Sequence, residues 1–181
     1  MPLKVADVEM RWEDDVADHL MPLPESLASS MDGIALNLQY VDYREATIAD
    51  AEHALAEEAA LLEAIQVADW DSMEAEEAID ENWEGLTSGL DAGMGAIVFC
   101  LAAIGATPIS SCNGGLVGVS HHASDVPHVL FTAPPVVCRF VLAEAKAAGV
   151  GLIANGLYAE LFTDQLSKFH SLARRLISNR R

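Results

Sequence analysis

Basic residues are scarce in this chain. Lys and Arg number 10 against 28 Asp and Glu, for a formal net charge of −18. A surface of that sign repels nucleic-acid phosphates and anionic lipid, so direct nucleic-acid binding and membrane binding are not expected. Cysteine is sparse too: Cys100, Cys112 and Cys138 fit reduced thiols better than a disulfide framework. There is no Cys-x-x-Cys pair, so the spacing matches no closed structural zinc site. Long hydrophobic runs are missing. The longest, Ala96 to Ala106, is interrupted only by Gly105 and is shorter than the roughly 20 residues of a transmembrane helix. Asp7, Glu9, Glu13, Asp14 and Asp15 do not suit a signal peptide. A cytoplasmic, bacterial-type protein is expected.

What is present is a foldable chain with a lopsided charge. Hydrophobic residues make up 51 % of the 181, enough for one domain with a proper core. Residues 1–91 hold 24 acids against three bases, Lys4, Arg11 and Arg44; residues 92–181 hold four acids against seven bases. The acidic part, 1–88, reads as a docking face for a basic protein partner, as a mimic of nucleic acid, or as a solvated face that aids solubility.

The first half mixes short extended stretches with helix. Val8, Met10 and Trp12 alternate with charged residues, which predicts a short strand. Glu13 to Leu20 has room for one or two helical turns before Pro22 and Pro24. Ile34, Leu36, Leu38 and Tyr40 alternate after the Asp32-Gly33 turn, a strand pattern, although Pro24 to Leu27 can also open a helix. From Ala46 the apolar stripe Ile48, Ala51, Leu55, Leu62 and Ile65 predicts a helix, with Glu52, Glu57, Glu58 and Glu63 mostly away from it. Asp71 to Glu74 carries a capping pattern for another, whose stripe is Ile79, Trp83, Leu86 and Leu90.

Gly89 to Ile104 is the predicted central helix. Met94, Ile97, Val98, Phe99 and Leu101 leave almost no polar face, so it must be buried. Gly105 suits its C-terminal cap. A strand over Thr107 to Ser111, a loop from Cys112 to Val126 and a strand over Val129 to Phe131 follow. Val136 to Ala148 reads as a helix. Asn155-Gly156 between apolar runs predicts a hairpin of 150–154 with 157–162. Asp164 is placed to cap a last helix, Gln165 to Ser178. Residues 89–181 thus read α-β-β-α-β-β-α. The fold class is α+β: a single domain, 1–181, with an acidic, mostly helical part packed on a small, mostly antiparallel sheet.

The chemistry gathers at one loop. Ser110, Ser111, Cys112, Asn113, Gly114 and Gly115 end a strand with hydroxyls, a thiol and exposed amides that can cradle an anion or a carbonyl oxygen. Cys112 becomes a nucleophile if a histidine favours its thiolate, and His121, His122 and His128 are the candidates. Antiparallel pairing of the two strands would set a partly accessible Cys112 opposite His128 or His121. A tight turn with a half-buried thiol explains the same residues without chemistry. Cys112 with His121 and His128 is the alternative metal reading. No cofactor is implied, and the oligomeric state is open. His53 and His170 read as ordinary surface or packing residues.

The run Leu101 to Gly115, followed by Pro127 to Phe131, resembles a pattern in bacterial proteins of unassigned function. In these a helix ends in glycine, a strand ends in Ser-Cys-x-Gly, and a second strand follows a proline. Ser110, Ser111, Cys112 and Gly114 are also similar to the Ser-Ser-Cys-x-Gly segment of the methyltransferases of wybutosine synthesis. Those enzymes carry a basic residue after the glycine, where this chain has Gly115. An acidic surface also argues against a tRNA substrate, so no activity is carried over. The reading is a binding or regulatory protein with an acidic face for a basic partner. The alternative is a small enzyme or ligand sensor using Cys112 and a histidine.

Overall fold

The computed structural model describes residues 7–20, 42–67, 85–87, 89–114 and 126–180. The predicted strand over 34–40, the Asp32-Gly33 turn, and the helix start at Asp71 with Ile79 and Trp83 lie outside the described residues, as do Gly115, His121 and His122.

Four strands form one antiparallel sheet. β1 (Thr107–Cys112) and β2 (His128–Thr132) pair, and β3 (Gly151–Asn155) and β4 (Tyr158–Phe162) form a hairpin. The spatial order is β1-β2-β4-β3. Among the described residues four α-helices accompany them: α1 (Ile48–Val67), α2 (Gly95–Ala103), α3 (Pro135–Ala148) and α4 (Leu166–Ser178). This is the expected α+β class.

One sheet face builds the core. Val129, Phe131, Ala159, Leu161 and Leu152 share that face by register, and all are fully buried. α2 packs on β1 and α3 on β3, while α4 packs against α1, α2 and α3. Gly95 to Ala102 are all buried, as an all-round apolar helix requires. The helix is shorter than expected, however. Gly89 (φ 92°) and Gly93 (φ 86°) hold left-handed backbone, so the chain turns before α2 begins at Gly95. Leu86 and Leu90 lie in turns rather than on a helix.

Smaller corrections follow the same logic. Val8 to Trp12 forms no strand; a single parallel bridge joins Trp12 to Leu152. The helical turns after it reduce to one 3-10 turn, Val16–Asp18. The hairpin pairs Asn155 with Tyr158, so the two central turn residues are Gly156 (φ 62°) and Leu157, one place later than predicted. Asp164 does not cap α4: its carboxylate accepts from Lys168 at 2.6 Å, and the Gln165 amide donates to the Thr163 hydroxyl instead.

Residues 11–18 form a strap along the β3 edge and α3. The Leu152 amide donates to the Arg11 carbonyl at 2.8 Å, and the Glu13 amide donates to the Leu152 carbonyl at 3.0 Å. The Trp12 indole N–H donates to the Val150 carbonyl at 2.7 Å, and the Ala154 amide donates to the Glu13 carboxylate at 2.8 Å. Val16 and Ala17 are buried. Asp14 pairs with Lys146 at 2.5 Å and Asp18 with Arg139 at 3.9 Å, so strap acids meet α3 bases.

Candidate functional site

The β1–β2 ladder brings Cys112 and His128 together as directly opposed residues. A register shift between Pro108 and Ser110 precedes this end of the ladder. Opposed residues of an antiparallel pair project to the same side of the sheet. The expectation that Cys112 faces His128 across the strands therefore matches the register. Its expected accessibility does not, since Cys112 is only 7 % exposed. The Gly114 amide donates to Cys112 Sγ at 3.4 Å, and Gly114 takes a positive φ of 78° to reach back. His128 Nδ1 donates to the Val126 carbonyl at 3.1 Å. In the neutral ring this leaves Nε2 as the lone-pair nitrogen.

Asn113 is buried and fixes the loop. Its amide donates to the Asp91 carboxylate at 3.1 Å, and its Nδ2 donates to the Ala92 carbonyl at 3.2 Å. The loop before α2 thus anchors the end of β1. Ser110 is exposed and Ser111 half-buried. Among the described residues no three His, Cys, Asp or Glu side chains gather as metal ligands.

The other two thiols sit in less reactive surroundings. Burial pushes the Cys138 thiol up to about 11, with Arg139 opposing. Burial, reinforced by the Glu58 charge, pushes Cys100 up further, with Arg180 opposing. A thiol held protonated is a poor nucleophile.

A second polar cluster was not expected from the sequence. Glu58, placed with the acids lying mostly off the α1 stripe, is 1 % exposed on its inner face. Ala51, Ala54, Glu58 and Leu61 share that face at helical spacing, and all are buried. The carboxylate accepts from the Ala96 amide in the first turn of α2 at 2.9 Å. His170 Nδ1 lies 3.4 Å from its other oxygen, and Arg174 donates to His170 Nε2 at 3.2 Å. Gly95 makes the approach possible, because a Cβ there would come within 2.7 Å of Thr87 Cβ and 3.5 Å of Glu58 Oε2. The available signal was Glu58 at spacing 3 and 4 from Leu61, Leu62 and Ala54, and His170 beside Phe169 on the α4 stripe.

A groove of about 1160 Å³ runs between α2, α3 and α4, lined by Ile104, Val136, Phe140 and Arg180 among others. It shares no residue with the Cys112 site. No family model, curated protein or solved structure matches the chain.

Proposed function

We propose that the protein is a cytoplasmic binding or regulatory protein whose acidic surface meets a basic protein partner. One observation carries this reading: the bases of the C-terminal half among the described residues are already engaged within the chain. Arg139 and Lys146 pair with Asp18 and Asp14, Lys168 with Asp164, Arg175 with Glu144 and Arg180 with Glu52, while Arg174 donates to His170. The surplus left on the surface is acidic. Glu9, Glu45 and Glu63 are exposed and have no partner among the described residues. The test is titration of an arginine-rich peptide into the full chain at low and physiological salt. Binding weakens as salt screens the charges, and the triple change Glu9→Lys, Glu45→Lys, Glu63→Lys reduces it while the circular dichroism spectrum is kept. Equal binding by that variant reduces the charge to a solubility feature.

The opposition of Cys112 and His128, with the Gly114 amide at the sulfur, favours a second reading as a small enzyme or ligand sensor. The readout is the pH profile of iodoacetamide labelling on a Cys100→Ala, Cys138→Ala background. An apparent thiol pKa clearly below about 8.5, lost in His128→Ala, supports it. Labelling only after unfolding rejects it.

A further inference from the structure

We infer that Glu58, His170 and Arg174 form a proton-sensitive latch that ties α1, α2 and α4 together when His170 is neutral and frees Arg174 when it is charged. The assignment follows from donor and acceptor chemistry. A guanidinium has only donors, so the contact of Arg174 with His170 Nε2 at 3.2 Å requires a lone pair on that nitrogen. The imidazole proton then sits on Nδ1, aimed at Glu58 Oε1 at 3.4 Å. Glu58 in turn accepts the Ala96 amide at the α2 N-terminus. Polar direction therefore runs one way, from an exposed guanidinium through a buried imidazole to a buried carboxylate and a helix end. Each acceptor faces a donor.

Protonation at Nε2 breaks this order at one point. The ring loses its only acceptor and gains a positive charge 3.2 Å from a cation. The Glu58 side is unaffected in sense, because Nδ1 donates in both states. Arg174, which is exposed, swings away into water.

The groups around the ring fit this account. α1 contributes Glu58, whose far side takes the Ala96 amide of α2 and lies near the protonated Cys100 thiol, on which the Arg180 charge also acts. α4 contributes Arg174. Glu144 of α3 is held by Arg175 and Asn179. Released Arg174 is a cation that has given up its contact with His170, so acidification changes surface charge at a defined point on α4.

The test is nitrogen-detected NMR of the full chain across a pH series. At the alkaline end the spectrum shows the Nδ1–H tautomer of His170. As His170 titrates, exchange of the Arg174 guanidinium protons speeds up several-fold relative to Arg139, with the same midpoint as the ring. His170→Gln offers an amide that donates to Glu58 and accepts from Arg174 without titrating, and it makes the Arg174 signal independent of pH. An Nε2–H tautomer in the neutral ring overturns the latch. So does Arg174 exchange that ignores the His170 midpoint, and both are read on the unmodified chain even if the variant fails to fold.

Discussion

The ring of Phe162 occupies the space that any side chain at Gly151 would need. The two residues are directly opposed across β3 and β4, and a Cβ built on Gly151 would overlap three ring atoms, the farthest at 2.7 Å. Phe162 is 5 % exposed. Gly151→Ala therefore forces the ring out of a packed position, and overpacking of this kind costs about 1–3 kcal/mol. Urea denaturation gives the number. Phe162→Leu in the same chain relieves the overlap, so the double variant is less destabilised than the sum of the two single changes.

Glu58 supplies a sharper contrast between two substitutions. Glu58→Ala leaves the Ala96 amide and His170 Nδ1 buried without an acceptor, at about 1–3 kcal/mol for each group. Glu58→Gln keeps one oxygen for the Ala96 amide and loses less. Equal denaturation midpoints for the two variants would show that the charge, and not the acceptor, matters.

Glu57 makes the fold acid-sensitive. Burial alone pushes its carboxyl up. Hydrogen bonds from His53 and from the Leu86 and Thr87 amides, with the His53 charge, together pull it below the ordinary value of 4.5. A depressed carboxylate stabilises the fold at pH values above the unfolded pKa, and that stability is lost as pH falls through the folded one. Glu57→Gln flattens the stability curve below about pH 4.5. The check is the denaturation midpoint between roughly pH 5 and pH 3, the window of carboxylate titration.

Cys138 acts at the alkaline end with the opposite sign. Its thiol is raised from the ordinary value of 9.0 to about 11, so the folded chain stays protonated where the unfolded chain ionises. Stability is full below the unfolded pKa and falls as pH rises from 9.0 toward about 11. Cys138→Ala removes that part of the alkaline slope. An unchanged slope would assign the decline to other groups, Cys100 first.

How much was legible follows from what each residue type announces. α2 was readable as a buried helix because it has no polar face, and β3–β4 because Asn155-Gly156 marks a hairpin. The beginning of α2 was not readable. Ser88-Gly89-Leu90-Asp91 looks like a cap, and only the left-handed backbone at Gly89 and Gly93 shows a turn. Glu58 was misplaced because a glutamate beside Glu57 looks solvated; its burial depends on His170, 112 residues away. Strand direction alone brought the end of β1 beside the start of β2, with His128 or His121 as the facing residue; the pairing of Cys112 with His128 comes from the register. The strap was not legible, since the alternation of Val8, Met10 and Trp12 suggests a strand where only Trp12 bridges, and nothing in the sequence points to β3 as its partner.

The strap along β3 has a temporal consequence. Trp12 and Val150, joined by the indole hydrogen bond, are 138 residues apart. Chains are made from the N-terminus at roughly 5–20 residues per second, so on the order of ten seconds separates synthesis of the two partners. Long-range pairing of this kind forms slowly. Residues 11–18 therefore leave the ribosome well before β3 and cannot dock, with Val16 covered and the Trp12 indole bonded, until the β3 edge exists.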